Sequence, residues 1–120
     1  MNFYAIPSFR AEKQALIKKN YTEIYAHEAA HKRAGGSLAG PIVIEKNSEG
    51  IPVSGHVSIK MPTLNKNNPQ ATISQAETVI NSAMAPADPS AQDYKVAAQA
   101  KTIKNEAINY KNKKRLDYYA

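Results

Sequence analysis

The chain contains no cysteine and no tryptophan, and it has only two phenylalanines among its 120 residues. The absence of cysteine excludes a disulfide framework, a thiolate nucleophile and every zinc site that is built on sulfur. A metal ion bound here would therefore have to be held by histidine and carboxylate groups. The scarcity of phenylalanine and tryptophan, together with many alanines, predicts a small hydrophobic core.

Long apolar runs are also missing, since no stretch approaches the roughly 18–20 residues that are needed to cross a bilayer. The opening "MNFYAIPSFRAEKQ" lacks a basic segment followed by an apolar block, so it does not have the pattern of a signal peptide. We therefore expect a cytoplasmic protein with no membrane partner. The length suits one domain, and we expect a flexible segment at residues 1–9, the domain at 10–113 and a basic tail at 114–120.

The charge balance is basic, with a net charge of +6 from 16 basic and 10 acidic residues, and part of the excess lies in the C-terminal "NYKNKKRLDYYA". Such a cluster is compatible with a nucleic-acid or membrane contact. It is equally typical of a solvated helix end, where Lys and Arg complement the negative pole of the helix dipole. We favour the helix end, because the tyrosines nearby do not alternate with the basic residues as in single-strand binders.

The first long element is predicted to be a helix from about Ala11 to Ala34. The run between these residues contains no proline or glycine, and Gly35 and Gly36 follow as a stop signal. Steps of 100° per residue place one set of side chains on a common face. That set consists of Leu16, Ile17, Asn20, Ile24, His27, His31 and Ala34.

The remainder predicts a hairpin and two more helices. Two β-branched runs, Ile42–Ile44 and Val53–Ile59, flank the turn-forming "KNSEG", which indicates an antiparallel hairpin with an edge or a bulge near Pro52. A second helix follows Asn68-Pro69, and a third is predicted from about Ser90 to Lys113. Its cap is either Asp88, which precedes Pro89, or Ser90, which forms a capping-box pattern with Asp93. The predicted fold class is α+β, with a long motif helix, a small antiparallel β-hairpin and two further helices.

The segment "AHEAAH" carries the clearest chemical signal. His27 and His31 are four residues apart, so a helix places both imidazoles on one side, where they can bind one cation. Glu28 lies beside the first histidine, as a general base lies in a zinc hydrolase of the H-E-x-x-H type. The alternative is a pair of histidines that merely stabilise a helix C-terminus. We favour metal binding, because the motif lies on the apolar face of a strongly predicted helix.

A third protein ligand is needed for a catalytic zinc site. The one remaining histidine is His56, which the pattern places on the second strand after a glycine that permits close approach. We take His56 as the third ligand. Asp93, Glu77 and Glu45 are the rival candidates.

The same blocks resemble a known family. "EIYAHEAAHKRAGGSLAGP", "VSGHVSIKMP" and "NPQATISQAETVINSAMAPADPSAQDYKVAAQA" are similar, in order, to the SprA-related family of bacterial metallopeptidases, over roughly residues 15–105. The resemblance implies metal and catalytic roles for His27, Glu28 and His31. It also implies that Ser90 and Asp93 orient the ligands, although helix capping explains them equally well. The family pattern has an acidic residue in the strand block where this chain has His56, and imidazole keeps the capacity to bind metal.

These observations favour a zinc-dependent metallopeptidase that acts on a peptide or protein substrate. We expect one Zn²⁺ per chain, and the sequence does not exclude another divalent metal. A different class of function is a non-catalytic module in which the metal ties helix to hairpin and compensates for a small core. A third is a basic adaptor that binds nucleic acid or an acidic partner through its C-terminal helix.

Overall fold

A computed structural model describes residues 5–119, with side chains described from residue 9 to residue 118. The elements in chain order are α1 (Ala5–Gly35), a short 3₁₀ turn (Gly36–Leu38), β1 (Ala39–Lys46), β2 (Pro52–Ile59), α2 (Pro69–Ala83) and α3 (Ala91–Tyr119). The two strands form one antiparallel sheet. The predicted α+β class, with its long first helix and hairpin, is confirmed.

Both long helices extend further than their predicted limits. α1 begins at Ala5 rather than Ala11. The proline at position 7 is compatible with this start, because it lies in the first turn, where it costs no hydrogen bond. α3 continues to Tyr119 rather than ending at Lys113, since neither glycine nor proline interrupts the basic segment. Residues 1–4 and residue 120, parts of the predicted flexible segment and basic tail, lie outside the described residues. The domain limits themselves stay a prediction.

The predicted glycine stop of α1 is confirmed. The helix ends at Gly35, and Gly36 has a φ of 53°, in the left-handed region that favours glycine. Gly35 also permits close packing: a Cβ there would lie 2.9 Å from Ile59 Cδ1 and 3.0 Å from Ser82 Oγ. The end of α1 is thereby pressed against the end of β2 and the last turn of α2.

The hairpin packs one face against α1 and leaves the other face exposed. Its register pairs Ile42 with Val57 and Ile44 with Gly55, and an irregularity between Glu45 and Lys46 gives the bulge that was predicted near Pro52. Strand side chains alternate between the two faces. The half-buried positions that face α1 are Ile42, Ile44, Gly55, Val57 and Ile59, and the exposed positions between them are Val43, Glu45, Ser54, His56 and Ser58.

The second and third helices begin at the predicted capping residues. The Asn68 side chain accepts a hydrogen bond from the Ala71 amide, and Pro69 occupies the first helical position. At α3, the Ser90 amide donates to Asp93 Oδ2 at 2.8 Å and the Asp93 amide donates to Ser90 Oγ at 3.1 Å. This reciprocal pair is a capping box.

The core is small and lies mainly between α2 and α3, which pack along each other, while α1 packs against both strands and α2. Its buried apolar side chains are Ile73, Ala76, Val79, Ala83, Ala100 and Ala107. Two residues of the predicted α1 face are an exception, because Leu16 is 44% exposed and Ala34 is also exposed. Within residues 5–119, no helix is long and apolar enough to cross a membrane.

Candidate metal centre

The two motif histidines lie near the C-terminal end of α1 with their imidazoles turned toward each other. His27 Nε2 and His31 Nε2 are 3.2 Å apart, and the ring centroids are 4.8 Å apart in an edge-on arrangement. His31 and Glu28 are each only 6% exposed. The ligand-capable atoms of His27, Glu28 and His31 all lie within 4.8 Å of one another, so this group could hold a metal ion.

A carboxylate in the first turn of α3 lies close to the same two nitrogens. Asp93 Oδ2 lies 3.3 Å from His27 Nε2, and Asp93 Oδ1 lies 3.2 Å from His31 Nε2. The Asp93 side chain is 14% exposed. Its orientation is fixed by the capping box with Ser90, so one carboxylate both begins α3 and closes the group of nitrogens.

The outward-facing nitrogens of both imidazoles have partners that hold the rings in place. His31 Nδ1 donates to the backbone carbonyl of Ser82 at 2.7 Å, and the Ser82 hydroxyl donates to the His31 carbonyl, also at 2.7 Å. His27 Nδ1 lies 3.3 Å from a carboxylate oxygen of Asp88. A carbonyl can only accept, so the 2.7 Å contact with Ser82 favours a proton on Nδ1 of His31, whereas His27 has a carboxylate oxygen 3.3 Å from each of its ring nitrogens. With Nδ1 protonated in both rings, the two Nε2 lone pairs point inward, as in protein sites where histidine binds a metal.

In that tautomer the arrangement favours a cation at its centre. Two lone pairs and a carboxylate would then face one another at 3.2–3.3 Å and repel unless a positive charge lies among them. Four ligands around zinc at 2.0–2.2 Å are about 3.3–3.6 Å apart along the edges of a tetrahedron. The distances among His27, His31 and Asp93 are 3.2–3.3 Å, at or just below the lower end of that range, and each histidine nitrogen faces a different oxygen of Asp93. The donor set therefore fits a small divalent cation.

Glu28 lies beside this group and has no competing partner. A Cβ on Gly55 would be only 3.0 Å from Glu28 Cγ, so the strand backbone lies directly against the glutamate stem. Among the side chains from residue 9 to residue 118, none forms a hydrogen bond or an ion pair with the Glu28 carboxylate. A carboxylate that none of these side chains occupies is available to a bound molecule.

The structure does not bring His56 into the group. Gly55 faces α1, so the next residue along the strand faces away from it. The His56 side chain is 55% exposed and its Nδ1 lies 3.6 Å from Glu45 Oε1. His56 does contribute to the wall of the adjoining cavity, but Glu45, with which it interacts, is on the exposed face of the hairpin. The rival Glu77 is also elsewhere, in an ion pair with Lys104 at 3.4 Å.

The sequence did not predict the two residues that bond to the outward-facing nitrogens of the histidines, Ser82 and Asp88. The sequence predicts Asp88 only as an alternative helix cap, and it gives Ser82, which lies in the last turn of α2, no separate role. For Asp88 the available signal is the run of proline and small residues "APADPS", which is typical of a loop. Nothing in the sequence marks Ser82, because its contact with His31 joins residues 51 positions apart.

A cleft of about 660 Å³ opens next to the group, between β2 and the beginning of α3. Its floor includes His27, Glu28 and His31, and Asp93 lines the side that α3 provides. The three side chains of the motif and the carboxylate are thus reachable from solvent through one opening.

A comparison with protein families finds one that matches almost the whole chain: the model of the SprA-related family covers residues 4–118. Neither a curated protein nor a solved structure matches the chain.

Proposed function

We propose that this chain, which belongs to the SprA-related family, is a zinc-dependent peptidase in which His27, His31 and Asp93 hold the metal and Glu28 is the general base. The observation that carries the proposal is the convergence of both Nε2 atoms and the Asp93 carboxylate within 3.3 Å. The proposal takes Asp93 as the third ligand in place of His56, which faces away from α1.

The donor set supports zinc. Two imidazoles and one carboxylate are a common ligand set of catalytic zinc, and they leave a fourth position for water or substrate. When bound, zinc lowers the pKa of a coordinated water to about 7 and polarises a substrate carbonyl. The hydrogen bonds from His31 to Ser82 and from His27 to Asp88 hold the rings in the tautomer that this role requires.

Glu28 has the position and the freedom that a general base needs. Its carboxylate lies within 4.8 Å of the histidine nitrogens, which leaves room for a water between them. We propose that Glu28 accepts a proton from the attacking water and then delivers it to the leaving amine nitrogen. Because none of the side chains from residue 9 to residue 118 bonds to this carboxylate, the substrate and water have none of them to displace.

A peptide would bind in extended form along the free edge of β2. The sheet has only two strands within residues 5–119, so one edge of β2 is paired with β1 and the other is open. Ser54 to Ile59 line the cleft beside the group, so the strand lies close enough to hydrogen-bond with a bound peptide backbone. The substrate class we propose is therefore an unfolded or extended segment of polypeptide.

Four variants test the proposal by metal content and by hydrolysis of an unfolded, fluorescently labelled protein. Glu28→Gln should retain zinc and lose hydrolysis, whereas Glu23→Gln, at an exposed position of the same helix, should change neither. Asp93→Ala should lose zinc, and His56→Ala should keep both zinc and activity.

Three results would overturn the assignment. Unchanged turnover in Glu28→Gln removes the general base, and zinc loss in His56→Ala restores His56 as the ligand. Absence of stoichiometric metal from the wild-type protein, even after reconstitution with zinc, removes the metal centre altogether.

A non-catalytic role of the metal is the second candidate, and the small core favours it. Among the described side chains, four of the six buried hydrophobic residues of the core are alanines. An ion shared by α1 and α3 would tie together elements that otherwise have few mutual contacts. This role predicts a large drop in melting temperature with a chelator and no hydrolysis by the zinc-loaded protein.

A further inference from the structure

The cleft has two chemically different ends, and the direction of β2 along α1 defines them. A Cβ on Gly55 would lie 2.5 Å from Ile24 Cγ2 and 3.0 Å from Glu28 Cγ, whereas a Cβ on Gly35 would lie 2.9 Å from Ile59 Cδ1. β2 and α1 therefore run in the same direction. One end of the cleft lies on the Glu28 side of the motif, and the other lies past His31, near the end of β2.

The end past His31 is mainly apolar, although Gln99 and Ser58 also line the cleft on that side. Four side chains of three different elements and one loop border the cleft there: Ile59, Met61, Ala83 and Val96. Ala83 is 3% exposed and forms part of the floor, while Met61 and Val96 are half-buried and bound the sides. The opposite end is bordered by Ser54, Gly55 and His56, which offer only small or polar groups.

Val96 lies less than one helical turn beyond the proposed metal ligand Asp93 on α3. It follows Asp93 by three residues on α3, which is a rise of about 4.5 Å along the helix. Both line the cleft. Successive residues of an extended chain are about 3.3 Å apart. A peptide bond held at the metal therefore places a side chain one or two residues away against Val96.

Backbone pairing with the edge of β2 cannot distinguish one peptide sequence from another, because it uses only main-chain groups. Selection must then come from side-chain pockets, and the apolar end is the best-formed candidate. We infer that this end is a specificity subsite for a side chain of leucine or phenylalanine size, within two residues of the cleaved bond. The inference rests on the proposed function and names the substrate class: unfolded segments that expose large apolar residues.

The test uses the full-length zinc-loaded protein and a series of fluorogenic peptides that carry Leu, Ala or Asp at one position at a time. At one position near the cleaved bond, Leu should exceed Asp by about tenfold or more in kcat/KM, as expected of a hydrophobic pocket. Val96→Lys should abolish this preference and improve the Asp peptide. The matched control is Ala98→Lys, which makes the same charge change at an exposed position of α3 and should leave the preference intact. Val96→Ala, the milder variant, should weaken the preference for Leu.

Binding of the same peptides to zinc-loaded Glu28→Gln, followed by fluorescence anisotropy, separates this inference from the proposed function. Hydrolysis with equal rates for Leu, Ala and Asp at every position overturns the subsite and leaves the peptidase. If the Leu peptide binds selectively, Val96→Lys abolishes that selectivity and the wild type hydrolyses none of the peptides, the result supports the subsite and overturns the peptidase. If the wild type does not hydrolyse the peptides and the Glu28→Gln variant does not bind the Leu peptide selectively, both the subsite and the peptidase are overturned.

Discussion

Substitution of Gly55 by alanine tests how closely the strand approaches the motif helix. The new Cβ would lie 2.5 Å from Ile24 Cγ2, 3.0 Å from Glu28 Cγ and 3.2 Å from the Val43 carbonyl oxygen. Carbon atoms in ordinary contact are about 3.5–4.0 Å apart, so the first contact must open by about 1 Å. Ile24 cannot yield by rotating a distal group, because its Cγ2 is attached to a branched Cβ. The strand and α1 must therefore separate, or the isoleucine must leave its rotamer.

The expected cost is that of overpacking a well-filled site, about 1–3 kcal/mol of unfolding free energy. For a domain of this size, 1 kcal/mol corresponds to about 4 °C, so the melting temperature should fall by about 4–12 °C. The matched control is Gly40→Ala in the same sheet, where the added Cβ would be 3.5 Å from the Ser58 carbonyl oxygen, an ordinary contact. That variant should stay within about 1 kcal/mol of the wild type.

Activity provides a second measurement. Movement of the Glu28 stem displaces its carboxylate, so hydrolysis by Gly55→Ala should fall more than zinc content does, because the three atoms nearest the new methyl group belong to Ile24, Glu28 and Val43 and not to a proposed ligand. Thermal melts followed by circular dichroism, together with zinc analysis and peptide turnover, give all three values. Equal melting temperatures for the Gly55 and Gly40 variants would refute the close approach of β2 to α1.

Three further predictions concern the partners of the ligands and a helix cap. Asp88→Asn should weaken zinc binding by about 10–100-fold through the loss of the anionic partner of His27, as measured by competition with a chelating dye, with little change in the melt of the metal-free protein. Ser82→Ala should lower the unfolding free energy in urea titrations by about 1 kcal/mol, because it removes the 2.7 Å hydrogen bond to the His31 carbonyl. The backbone carbonyl of residue 82 still accepts from His31 Nδ1, so zinc affinity should change less than stability. Asn68→Ala should cost about 1 kcal/mol in thermal melts by removing the cap of α2, and a loss of zinc affinity in that variant would contradict a purely local role.

Local rules predicted what depends on neighbouring residues. The spacing of His27 and His31, the glycine stop after them, and the capping box of Ser90 and Asp93 are each decided within one or two helical turns. The alternation that groups His56 with Ser58 was also correct.

Non-local packing decided the rest. Alternation assigns His56 to one of two strand faces but not to the face that meets α1, and the close contact of Gly55 with Ile24 makes that choice. Asp93 reaches the histidines only because α3 docks on α2, whose last turn is bonded to His31. Leu16 shows the converse, since helical periodicity identifies a face but not whether a partner covers it.

The capping box at α3 has a consequence for the thermodynamics of ligand binding. A free aspartate side chain loses rotamer entropy when it becomes a metal ligand, at a cost of about 0.5–1.5 kcal/mol for an immobilised side chain. Asp93 has already lost much of that freedom, because its carboxylate is held by the Ser90 amide as soon as the helix forms. The entropy of ordering this group is thus offset by helix formation, and a cation meets a carboxylate that is already oriented.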